Sequence, residues 1–140
     1  MGSRSLISGY ETWQVVAVSY TDELTAVIVA NPVMIEAYEA GVPGNGKPFP
    51  DGSKMAKIHS KPKKSSEAPA PTIVPDALHD VDFMVKGSKK FPDGGWGNAQ
   101  FNYDGASETF TPLGSGADCG TACHTIVKAK DYVFTAHPKR

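Results

Sequence analysis

Both cysteines of the chain lie in one short segment, Cys119-Gly-Thr-Ala-Cys123-His124, and an imidazole directly follows the second thiol. No other feature constrains the fold as tightly, because whatever these three side chains hold must be housed by the rest of the molecule. Two thiols and then a histidine is the arrangement that attaches haem covalently. The sulfurs add across the porphyrin vinyl groups as thioethers, and the imidazole reaches the iron as an axial ligand. The common form has two residues between the cysteines. Here there are three, and Gly120 gives the backbone freedom to bring both sulfurs to one porphyrin edge. A local disulfide, or two free thiols beside an unrelated histidine, would leave the same letters in the sequence.

A chain of 140 residues, 40% hydrophobic and 21% charged, fits a single domain and can bury its own core. Fourteen Lys and Arg against fifteen Asp and Glu leave a formal charge of -1, so no basic field argues for nucleic acid as a partner. No apolar run reaches the ~20 residues of a membrane-crossing helix, so no membrane span is expected. Met1-Gly2-Ser3 reads as an expression remnant. Residues 1–12 are expected to be a tag and lead-in, and 13–140 a single haem domain. Covalent haem attachment in bacteria takes place outside the cytoplasm, so a haem-bearing chain is expected in the periplasm, with its export signal absent from this sequence.

Trp13 to Tyr20 and Leu24 to Ala30 are rich in β-branched residues and separated by Thr-Asp-Glu, which predicts a hairpin. Asn31-Pro32 supplies an N-cap and a first-turn proline for a helix through Met34, Ile35 and Tyr38, ending near Gly41. Val42 to Gly52, with three prolines and three glycines, predicts a loop. Lys54 to Ser60 is a short strand candidate, and the proline-rich Lys61 to Pro75 a surface loop. Leu78 to Lys86 and Trp96 to Tyr103 predict two further strands, with a turn from Gly87 to Gly95 between them. A loop through Pro112 and Gly116 then leads to a helix over Cys119 to Lys130 and an extended Tyr132 to Thr135. The expected class is α+β: a mostly antiparallel sheet with a few helices, haem c being held by the C-terminal helix.

His124 is the candidate iron ligand. The four methionines are Met1, Met34, Met55 and Met84, so none follows the motif to serve as a sixth ligand. Met55 and Met84 either reach the iron or pack the core. Without a methionine the iron keeps an open position for small molecules such as nitric oxide or hydroxylamine. In Met55-Ala-Lys-Ile-His59, strand alternation puts Met55, Lys57 and His59 on one face. A lysine directed into a pocket becomes nucleophilic as desolvation lowers its pKa. The competing reading is a solvated lysine among Lys54, Lys61, Lys63 and Lys64. His59 shares the face of Lys57 and could act as a distal group, while His79 and His137 read as surface residues. Phe49-Pro-Asp-Gly52 and Phe91-Pro-Asp-Gly94 repeat one tight-turn chemistry. Trp13, Tyr38, Phe83, Trp96, Phe101 and Phe134 could line a haem pocket, and most of them are expected to be core in any case.

Taken in order, these segments resemble the cytochrome P-460 family, which includes the c′-beta cytochromes. The resemblance spans Trp13 to Arg140 and rests on five pieces. Asn31-Pro32 opens a helix; Phe49-Pro-Asp-Gly52 precedes Lys57; Met84 to Phe91 leads to Gly95-Trp96-Gly97; then come Cys119 to His124 and Lys130 to Thr135. The resemblance implies an antiparallel sheet with helices, a homodimer, and a periplasmic c-type haem with a vacant distal site. In hydroxylamine-oxidising members a lysine is cross-linked to the porphyrin, and Lys57 falls at the matching place. In c′-beta members the cross-link is absent and an apolar pocket binds nitric oxide. Where the family usually has a pocket arginine, five residues before the Asn of Asn-Pro, this chain has Ala26.

Two functional readings follow. In one, the chain is a hydroxylamine oxidoreductase with Lys57 catalytic and a soluble redox partner. In the other, it binds nitric oxide or transfers electrons without turnover.

Overall fold

Val15 to Ser19 and Thr25 to Val29 fold back on one another because Thr21 closes the connection between them. Its N–H donates to Leu24 O at 2.8 Å, and its Oγ1 accepts from Leu24 N at 3.1 Å. The two runs are strands β1 (Gln14–Tyr20) and β2 (Thr25–Ala30) of the computed structural model, which describes residues 8–91, 95–115, 131 and 133. Helix α1 (Pro32–Glu39) follows at once, with Pro32 at its first position. Asn31 Oδ1 accepts from Met34 N at 3.2 Å and from Lys54 N at 3.0 Å, while its side-chain amide donates to Gly52 O at 2.8 Å. One cap residue therefore fixes both the start of the helix and its position against the next strand.

Strands β3 (Lys54–Lys64), β4 (Ile73–Lys86), β5 (Trp96–Asp104) and β6 (Thr109–Ser115) complete the sheet. Among the described residues the six strands lie in sequence order, and every neighbouring pair is antiparallel. The mostly antiparallel α+β architecture expected from the sequence is thus present. The hairpin, the helix and its cap, and the strands at 54, 78 and 96 fall where expected.

Two expected loops are strands. Lys61 to Pro75 is a continuation of the β3–β4 hairpin, with only Ser65 to Thr72 outside it. Pro62 and Pro75 face each other across the pair, beside a register irregularity between Ser60 and Pro62. Prolines without N–H groups are tolerated at such a bulge, so composition alone misleads here. Pro112 likewise lies inside β6, opposite Phe101, at a second register shift. Among the described strands β6 lies at the edge of the sheet, where a missing donor costs one ladder bond at most. The expected helix over Cys119 to Lys130 and most of the extended Tyr132 to Thr135 lie outside the described residues.

The sheet buries both faces. On one, Ile28, Ala30, Met55 and Met84 meet Met34, Ile35 and Ala37 of α1, together with Phe49, Trp96 and Val133. On the other, Val29, Ala56, Val81, Phe83 and Phe101 are covered by Tyr10 and Trp13. Tyr10 sits in a short 3-10 turn, Tyr10–Thr12, and meets the Phe83 ring edge-on at 5.3 Å between centroids. Gly97 is held by close approach, since a Cβ there would lie 2.4 Å from the Phe91 ring. Among the described residues no helix is long and apolar enough to cross a membrane.

Candidate functional site

Cross-strand partners in an antiparallel sheet share a face, so the register lays out the α1 side of the sheet as successive rows. Ala30, Met55, Met84 and Asn98 form the row beneath the helix. Ile28, Lys57, Asp82 and Gln100 form the next, and Ala26, His59, Asp80 and Asn102 the one beyond it. Each row lies two residues, about 7 Å, from the last. The apolar ground under α1 therefore gives way within two rows to a lysine, a histidine and two carboxylates.

Met55 and Met84 are core residues, 6% and 7% exposed, packed against α1. Lys57 is half-buried on β3 and makes no salt bridge with a described residue. His59 stands on the same face, as alternation requires, and its Nδ1 lies 2.6 Å from Asp80 Oδ1 and 3.9 Å from Asp82 Oδ2. Asp80 is enclosed, its side chain 3% exposed, and its second oxygen meets Nδ1 of His79. His79 is thus tied to the cluster, although its side chain is largely on the surface. Cys119, Cys123 and His124 lie outside the described residues.

Burial pushes the Asp82 carboxyl above its ordinary value of 3.8, and the nearby Asp80 charge adds to that, while His59 and Lys57 oppose it. Asp82 Oδ1 is buried without a hydrogen-bond partner among the described residues, although the side chain as a whole is 42% exposed. A carboxyl whose folded pKa is raised gains nothing below its unfolded pKa and loses stability as the pH rises through both values. Asp82→Asn is therefore expected to unfold like the parent near pH 3, and to be more stable near pH 7 by ~1 kcal/mol or less after solvent screening. Thermal unfolding at the two pH values checks this. A variant less stable than the parent at neutral pH would contradict it.

A second polar centre closes the far end of the same face. Lys86, paired with Trp96 across β4 and β5, donates from Nζ to both carboxylate oxygens of Asp131 at 2.8 Å. Phe49 N donates to Asp131 Oδ2 at 2.8 Å, and Trp96 Nε1 to Asp131 O at 2.8 Å. Asp131 adopts a φ of 51°, a left-handed conformation that aspartate tolerates better than most residues. Val133, 1% exposed, completes the packing. Asp131 and Val133 are thereby pinned to the face that carries Lys57.

Of the aromatics expected to line a pocket, Tyr38 and Trp96 lie on this side of the sheet. Trp13, Phe83 and Phe101 pack on the opposite face as core, in line with the expectation that most of these aromatics are core; Phe134 lies outside the described residues. Sequence reasoning missed Asp80, Asp82 and the anchoring role of Asp131. For the first two a signal was available, since Asp80 and Asp82 alternate on β4 as Lys57 and His59 do on β3.

Comparison with known proteins returns one family. A model described as cytochrome P460 matches residues 7–135. Comparison with curated proteins finds no match.

Proposed function

We propose, for a chain that belongs to the cytochrome P460 family, the role of a periplasmic mono-haem cytochrome that binds and oxidises hydroxylamine at an open iron position. Family membership makes it a haem c cytochrome. The observation that carries the finer reading is the shared face. Lys57 stands half-buried on the same side of the sheet to which Asp131 and Val133 are pinned.

Cys119, Cys123 and His124 have the donor chemistry for haem c, which would supply an iron site for the ligand and a route out for its electrons. His124 precedes Asp131 by seven positions, so in any conformation it stays within about 25 Å of that anchor. The face supports the fit, offering buried Ala26 and Ile28 beside the amine of Lys57 and the enclosed Asp82 Oδ1. Lys57 is the amine proposed for attachment to the porphyrin, with metal ligation left to His124. Oxidising hydroxylamine also releases protons. Asp82, less acidic than an ordinary carboxyl, is the group on this face suited to accept one at its carboxylate. Asp80 holds the imidazole of His59 in a fixed orientation two residues from Lys57. A soluble electron acceptor and a homodimer belong to the same proposal.

Ala26 favours a second reading. It is 5% exposed and stands beside His59, where the family resemblance leads one to expect an arginine. A pocket without that charged donor suits nitric oxide binding without turnover. The deciding experiment takes matured protein, confirms haem c by its pyridine haemochrome spectrum, and adds hydroxylamine with an electron acceptor. Acceptor reduction supports the enzyme, whereas ligand-binding spectra without reduction leave only the carrier. A colourless protein with Cys119 and Cys123 joined to each other would end both readings.

A further inference from the structure

His59, Asp80 and Asp82 bring three metal-ligating atoms within 4.8 Å of one another, on two adjacent strands near the middle of the sheet. The convergence follows directly from the register. Asp80 and Asp82 are two residues apart on β4, and His59 on β3 is the partner of Asp80. We propose that these three side chains form a site for a first-row divalent cation of the zinc class, left open to solvent on its remaining positions.

Donor type, spacing and satisfaction all bear on this. One imidazole nitrogen with two carboxylate oxygens is a mixed set that suits zinc and its neighbours better than magnesium or calcium, which prefer oxygen alone. Ligand atoms bound at about 2.1 Å around one tetrahedral ion lie about 3.4 Å from each other. The separations from His59 Nδ1, 2.6 Å to Asp80 and 3.9 Å to Asp82, bracket that value, so settling on an ion requires only small side-chain rotations. Neither Asp80 nor Asp82 has an arginine or lysine within salt-bridge distance among the described residues. The buried Asp80 carboxylate bonds two imidazoles, those of His59 and His79, and also meets the Asp82 carboxyl. Asp82 Oδ1, enclosed without a donor, is a lone pair that the folded protein leaves unused. A cation held by Asp82 would offset the burial of that carboxylate and remove the repulsion between two neighbouring carboxylates. It would also withdraw Asp82 from proton acceptance, so the two uses of the cluster exclude each other. The metal site itself depends on no property of haem.

Haem-loaded protein, stripped of loose metal by a chelator and dialysed, is titrated with zinc in a calorimeter. The expected result is one zinc per chain. His59→Gln and Asp82→Asn should each weaken binding by about tenfold or more, and His79→Ala should bind as the parent does. Haem content and far-UV circular dichroism, unchanged in each variant, show that the fold has survived. No stoichiometric zinc in the parent overturns the proposal. So does parent-like binding in both the His59 and the Asp82 variants, which would put the ion on other histidines. If the chain carried no haem, free thiols would add a zinc site that these two variants leave intact, so that failure reads differently from failure of this one.

Discussion

Asp131→Ala is expected to destabilise the protein by about 3–5 kcal/mol, because it removes one partner of a buried ion pair. Lys86 is 7% exposed and Asp131 10%, so neither charge returns to water once its partner is gone. The Trp96 ring, 5.1 Å from Nζ, offers Lys86 only a weak substitute. The same substitution strips Phe49 N of its acceptor, beneath a side chain that is itself 1% exposed. Asp131→Asn, which keeps an oxygen for Phe49 N, should lose less. Adding Lys86→Met to Asp131→Ala should recover part of the loss, since the buried ammonium that the carboxylate balanced is then gone as well. Urea unfolding reads all three, as a shift of midpoint at constant slope. An Asp131→Ala variant within about half a kcal/mol of the parent, well inside the range of ordinary surface substitutions, would show that the pair contributes nothing to the fold.

That ion pair could not be read from the sequence, and the reason is physical. Lys86 and Asp131 are far apart along the chain and meet only when β4 and the tail close on Phe49 and Trp96. Local signals were legible where one residue type determines the backbone. Asn31 before Pro32 marks a helix start, and the structure uses that cap for both the helix and β3. Alternation put Lys57 and His59 on one face correctly, because a strand has no other way to present them. Proline misled twice. Pro62, Pro75 and Pro112 read as loop residues, yet each sits in a strand at a register shift or on an edge, where a missing N–H costs little. The aromatics were legible only in part: hydrophobicity says that Phe83 and Phe101 are buried, as they are, but not on which side of the sheet. Only the register separates Phe83, beside Ala56, from Asp82, beside Lys57. The carboxylate pair escaped notice because aspartates in a strand look like solvent-facing positions until the opposite strand supplies a histidine.

Under the proposed role, Lys57→Ala is expected to cut hydroxylamine oxidation sharply while leaving haem c in place, the largest functional effect that role implies. In the proposed attachment, thioethers from Cys119 and Cys123 would form independently of Lys57, so the pyridine haemochrome spectrum should match the parent. What disappears is the amine on the sheet face, and with it any tryptic Lys57 peptide that carries haem. Loss of a positioned acid–base or nucleophilic group lowers turnover by about 10²–10⁴-fold, and acceptor reduction in steady state should fall within that range. Lys57→Arg sharpens the test. Arginine keeps a positive charge beside Asp82 but cannot be deprotonated, so it restores the local field without restoring a nucleophile. If Lys57 acts only as a charge, the arginine variant turns over like the parent and the alanine variant does not. If its amine is the reacting group, both variants fail together while still binding nitric oxide. Turnover equal to the parent in Lys57→Ala would remove Lys57 from the chemistry and leave the open-site carrier as the function of this face.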